Sequence, residues 1–144
     1  DHVALLAEVG ETIIPTTDTP GAKAANVHNF VNEYACYCST KEQQAVIKAS
    51  LDTIESSSQK TFKKTFLALS DSEKTAHLTA LEKAQDGFTQ EDRQAFKYLK
   101  SLITFGYYTS EIGASQELAY LAIPGGYKGN IKFSEVGRNW ALAH

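Results

Sequence analysis

Apolar positions recur along most of the chain at the three-to-four residue spacing of amphipathic helices, and strand-like alternation is nearly absent. Leu6, Val9 and Ile13 share one face of a first helix, which Pro15 stops because proline cannot donate to the helical ladder. A turn follows at Asp18-Thr19-Pro20-Gly21, where proline presets its own φ and glycine can take a positive one. Val27, Phe30, Val31, Tyr34 and Cys38 fall on the stripe of a second helix. Thr40 with Gln43 predicts a capping box opening a third helix, whose apolar face carries Ile47, Leu51 and Ile54.

The Ser56-Ser57-Ser58 run predicts a break, and a short helix bearing Phe62, Phe66 and Leu69 is expected after it. Ser70 and Glu73 form a second capping box ahead of Leu78 and Leu81, and Gly87 is the expected end of that helix. Thr89 caps the next, with Phe96, Leu99, Leu102 and Ile103 as its apolar face. Caps at each junction and short connections define an all-α fold, a compact helical bundle. At 144 residues the chain fits one domain, spanning residues 1–144.

From Gly106 onward the pattern changes. Six of the nine glycines lie there, interleaved with Tyr107, Tyr108, Tyr120, Tyr127 and Trp140. One short helix is expected around Gln116 to Leu121, in an otherwise irregular, Gly- and Tyr-rich C-terminal segment. Tyrosine and tryptophan combine contact area with a hydrogen-bonding tip, which suits the desolvated centre of an interface. They equally suit the seal of a bundle's own core, and sequence alone leaves both readings open for Tyr107, Tyr108 and Trp140.

Composition narrows the function. An apolar fraction of 42% excludes a disordered chain, and a net charge of −3 gives no basic footprint for nucleic acid. The densest basic cluster, Lys60, Lys63 and Lys64, is interrupted by Phe62. No run approaches the ~20 apolar residues of a membrane helix. The absence of methionine indicates that translation began upstream, from a cleaved export signal or a trimmed boundary.

No residue pattern announces chemistry. Neither His28 nor His77 is followed four residues on by a histidine or carboxylate, as in zinc-binding helices; a surface or hydrogen-bonded buried ring is expected for each. There is no Gly-x-Ser-x-Gly elbow, and Pro124-Gly125-Gly126-Tyr127-Lys128-Gly129 lacks the Gly-Lys-Ser/Thr ending of a phosphate loop. A carboxylate pair such as Glu111 with Glu117 reads as solvated surface charge. Two cysteines are too few for a disulfide framework or a cluster. On one helix they point about 200° apart. Cys38 is therefore expected to be buried on the Val27–Tyr34 stripe, and Cys36 to be an exposed thiol open to a partner chain. No catalytic, cofactor-binding or metal-binding residue is assigned on this chain.

Two stretches go beyond generic helix. The first is Thr12-Ile13-Ile14-Pro15-Thr16-Thr17-Asp18-Thr19-Pro20-Gly21-Ala22-Lys23-Ala24-Ala25, followed by Val27-His28. The second is Gly106-Tyr107-Tyr108-Thr109-Ser110-Glu111-Ile112-Gly113, followed by Glu117-Leu118 and Pro124 to Gly129. With Gly137-Arg138 and Trp140-Ala141, the chain resembles the gluconate 2-dehydrogenase subunit 3 family over nearly its whole length.

The resemblance implies the non-catalytic small subunit of an exported complex that oxidises sugars or sugar acids. A large subunit of the glucose–methanol–choline oxidoreductase type holds FAD, and a c-type cytochrome subunit often passes electrons onward. The small subunit typically carries a twin-arginine export signal and helps the large one to mature and reach the periplasm. Tyr107, Tyr108, Glu111, Gly125, Gly126, Tyr127, Gly129 and Trp140 are the expected partner-docking residues. Similar proteins often have a cysteine where this chain has Asn130, which removes the thiol that a covalent link there would need. The competing readings are a stand-alone lyase or hydrolase using Glu111 or His28, and a free ligand-binding domain.

Overall fold

Three helices begin at the capping residues that the sequence nominates. The computed structural model describes residues 2–121, 123, 125–126 and 129–141. Thr40 Oγ1 accepts from the Gln43 N–H while Gln43 Oε1 accepts from the Thr40 N–H, and Ser70/Glu73 and Thr89/Asp92 repeat the exchange. Each box satisfies backbone donors that a helix N-terminus leaves unpaired.

The helices are α1 (His2–Ile13), α2 (Val27–Tyr37), α3 (Lys41–Phe62), α4 (Asp71–Lys83), α5 (Gln90–Tyr108) and a single turn, α6 (Phe133–Val136). A 3₁₀ turn, Phe66–Ala68, links α3 to α4, and a π-helical turn, Gly113–Glu117, follows α5. The fold is all-α. Helix α5 is its axis, packing against α1, α2, α3 and α4. Leu5, Val9, Val31, Ile54, Phe66, Leu81, Phe96, Leu99 and Ile103 meet in one buried cluster. Each such side chain contributes about 1.5–3 kcal/mol on leaving water.

The structure corrects four expectations. No break occurs at Ser56-Ser57-Ser58, because α3 runs through them to Phe62. Ser57 donates to its own helix at Thr53 O (2.5 Å), and buried Ser58 donates to Lys64 O (3.0 Å), so the hydroxyls are satisfied without interrupting the ladder. Phe62 thus belongs to α3, and only a 3₁₀ turn follows. Gly87 does not end α4. Ala84 takes the left-handed cap itself at φ 52°, and Gly87 (φ 91°) serves the turn beyond.

The expected helix over 116–121 is replaced by the earlier π-helical turn, closed by Leu118 N–H to Gly113 O at 3.1 Å. Finally, Cys38 is exposed along with Cys36. It is the C-cap of α2, so the stripe reaches it only past the last helical residue, Tyr37.

Candidate partner interface

The first motif is folded by a carboxylate that sequence reasoning overlooked. Glu11, in the last turn of α1, accepts from the Thr16 N–H (2.9 Å), the Thr16 hydroxyl (2.8 Å) and the Lys23 N–H (2.9 Å). Burial alone would raise its pKa, but the bonds from Lys23 and Thr16 outweigh burial and hold the carboxyl below its ordinary value. A Cβ on Gly21 would lie 2.6 Å from Thr16 N and 2.7 Å from both Glu11 carboxylate oxygens, so only glycine fits there. An acid four residues ahead of a proline turn is the signal that could have found it.

The second motif is folded just as tightly. Gly113 lies against the end of α5, where a Cβ would come within 2.0 Å of Tyr107 O. That contact lets the chain turn into the π-helical segment and aims Glu117 back toward the first motif. Ser110 caps the bend, its hydroxyl donating to Tyr107 O (2.6 Å) and accepting from the Gly113 N–H (3.0 Å).

These two motifs, some ninety residues apart, meet at one end of the bundle. The Thr19 hydroxyl donates to Glu117 Oε2 at 2.5 Å, and the Tyr107 hydroxyl donates to Pro20 O at 2.7 Å. Tyr107 is 1% exposed, so it builds the junction from within and offers a partner no surface. Burial pushes its phenol above the ordinary value; a hydrogen bond with Thr19 opposes this, and the Glu117 charge adds to it. A second set of ties underlies the junction. Glu8 on α1 binds Lys74 of α4 at 3.0 Å and also pairs with Lys23 in the first motif.

The other nominated docking residues lie outside. Tyr108 is exposed and stacks edge-on against Tyr107, with ring centroids 5.3 Å apart. Glu111, Gly125, Gly126 and Gly129 are exposed, whereas Tyr127 lies outside the described residues. Trp140 is 46% exposed. It marks the close of a terminal arm, where the Ala119 N–H donates to Asn139 O (2.7 Å) and the Ala141 N–H to Ala119 O (2.8 Å). Arg138 adds a bond to Gln116 O. The arm exposes Tyr120, Leu121, Ile123 and Phe133 to solvent.

Among the described residues, no hydrogen bond or ion pair joins Glu111, Glu117 and His28 to one another. Glu111 is exposed, and Glu117 is committed to Thr19. His28 is half-buried, and its Nδ1 has no partner among the described residues, contrary to the expectation that a buried ring would be satisfied. His77 does meet that expectation. It is buried against Phe62 and Phe88 and hydrogen-bonded to Ser57 at 2.9 Å. Cys36 lines a cleft of ≈ 390 Å³ between α1, α2 and α3, which His2 and Lys48 also line. No hydrogen bond joins its thiol to either among the described residues. No three of the described His, Cys, Asp and Glu residues are grouped to hold a metal ion, and no described helix is long and apolar enough to cross a membrane.

The fold and this surface define a class: a small all-α bundle that builds a rigid junction at one end and displays an apolar arm beside it. The chain belongs to the gluconate 2-dehydrogenase subunit 3 family, whose model matches residues 1–125 and so takes in the first motif and most of the second. The family's name makes it a subunit of a multi-subunit dehydrogenase. No curated protein and no solved structure matches the chain.

Proposed function

We propose that this chain is the non-catalytic small subunit of an exported, FAD-dependent dehydrogenase of sugars or sugar acids. On this reading it binds the large flavoprotein subunit, assists its maturation and export to the periplasm, and stabilises it there. FAD sits on the large subunit, and a c-type cytochrome is the further partner that takes the electrons. One observation carries the reading: the two family motifs converge into a junction that tethers an arm with exposed tyrosine, phenylalanine and tryptophan. Such side chains lose water favourably only when something covers them.

Co-expression with the large flavoprotein subunit tests the proposal. The expected result is a stoichiometric complex with a flavin spectrum, while the chain alone is colourless and does not turn over sugars. Failure to co-purify at mild salt would overturn it. So would turnover by the single chain that is lost on Glu111→Gln or His28→Ala, which would establish an enzyme instead.

A further inference from the structure

A second apolar surface lies on the face shared by α2 and α5. A Cβ on Gly106 of α5 would lie 2.5 Å from the ring of Phe30, so the missing side chain is what allows that ring to sit directly on the helix backbone. From this seat Phe30 contacts Tyr34 and Phe105, each with ring centroids 5.9 Å away. Tyr37 extends the line three residues further along α2, and Tyr108 three residues further along α5. The outer members are uncovered: Phe105 is 56% exposed and Tyr37 is 86% exposed. On the same helix Phe96 and Tyr107 are buried and Tyr98 is half-buried.

The face is also nearly free of charge. From Ala24 through Thr40 the one formally charged side chain is Glu33, and from Ser101 through Ser110 there is none, in a chain of which 22% is charged. Interface centres are depleted in charged residues and enriched in tyrosine and phenylalanine. Aromatic rings already fixed by packing lose little entropy when they are covered, which makes them effective anchors. The ridge therefore fits an apolar, uncharged protein surface. An anionic ligand would find no counter-ion on these two stretches, and a cationic one only Glu33.

We propose that the ridge of Phe30, Tyr34, Tyr37, Phe105 and Tyr108 is the principal anchor for the companion dehydrogenase subunit, with the arm flanking it. This rests on the reading of the chain as a subunit and adds which face carries the affinity and what chemistry covers it.

The test uses the full chain co-expressed with the large subunit, comparing wild type with Tyr37→Glu/Phe105→Glu. Wild-type affinity should change by no more than about threefold between about 50 and about 500 mM NaCl, because no ion pair carries the contact. The double variant should bind about thirtyfold or more weakly, and Tyr37→Ala/Phe105→Ala about tenfold more weakly. Both variants alone should melt near wild type, since each side chain is more than half exposed; if the glutamate pair unfolds, the alanine pair decides. Wild-type binding with both variants within threefold of it sinks this inference and leaves the proposed function standing. No wild-type complex at all sinks the proposed function itself. Self-association of the isolated chain that Phe105→Glu abolishes would give the ridge to a second copy and overturn the assignment.

Discussion

The Tyr107 hydroxyl donates to the carbonyl of Pro20 at 2.7 Å, joining residues 87 positions apart. Tyr107 is buried and Pro20 partly so, and the bond fixes where the loop after α1 sits on the end of α5. Tyr107→Phe keeps the ring and strands the acceptor, an error that costs about 1–2 kcal/mol. Urea denaturation should show that loss, and hydrogen exchange should speed up at Ala22 and Ala25, whose N–H groups donate within the same loop. Unchanged exchange there would mean that the loop is held without Tyr107.

Gly113 and Gly125 form a contrasting pair. A Cβ at Gly113 would collide with Tyr107 O, whereas at Gly125 nothing lies within 4 Å. Gly113→Ala should therefore destabilise by about 1–3 kcal/mol, since the obstruction is backbone that cannot swing aside. Gly125→Ala should fall within about 0.5 kcal/mol of wild type. Thermal unfolding of the two variants checks the difference.

Lys74 is 8% exposed, and its closest counter-charge is Glu8, with Asp71 further off at 3.9 Å. Glu8→Ala should cost about 3 kcal/mol by leaving an ammonium under-compensated inside the fold. The double variant Glu8→Leu/Lys74→Met should recover much of that loss, because it removes the buried charge as well as its partner. A double-mutant cycle in urea measures both. Burial would raise the Glu8 pKa, but the bonds from Lys23 and Lys74 overcome it and hold the carboxyl low. Glu8 stabilisation is therefore present above the ordinary carboxylate range and lost as pH falls through the depressed folded value.

His77 gives a second acid dependence, in a different window. Burial among Phe62, Phe66 and Phe88 pushes its pKa below the ordinary 6.5, and a hydrogen bond to the Ile54 backbone opposes that only in part. The unfolded chain takes up the proton first. Stability is thus fully present above 6.5 and declines as pH falls toward the depressed folded value. His77→Gln should lower stability at neutral pH yet flatten the slope just below 6.5. An equally steep slope in the variant would assign the dependence to another group.

Local chemistry made much of this protein legible from its residues. The capping boxes at Thr40 and Ser70, the Thr89 cap, the proline stop after α1 and the core stripes of α1, α3 and α5 depend on interactions within one or two helical turns, so spacing alone locates them. The same information misplaced the ends that tertiary contacts set. Ser58 stays helical because Lys64 O comes round to meet it, and Ala84 accepts a left-handed cap ahead of the available glycine. Cys38 continues its stripe in register, but it falls at the C-cap, past the last helical residue Tyr37, and is exposed there.

The sequence by itself determined an all-α chain and the family, through its two long motifs. Only the tertiary structure decided that those motifs touch, through Tyr107 with Pro20 and Thr19 with Glu117. It also sorted Tyr107 to the interior and Tyr108 to the surface, one residue apart. The physical reason is that periodicity reports which face of a helix is apolar, while exposure depends on what packs against that face. For Phe30 and Phe105 the answer is one another and the bare backbone at Gly106, an arrangement written in the meeting of two helices and in neither one alone.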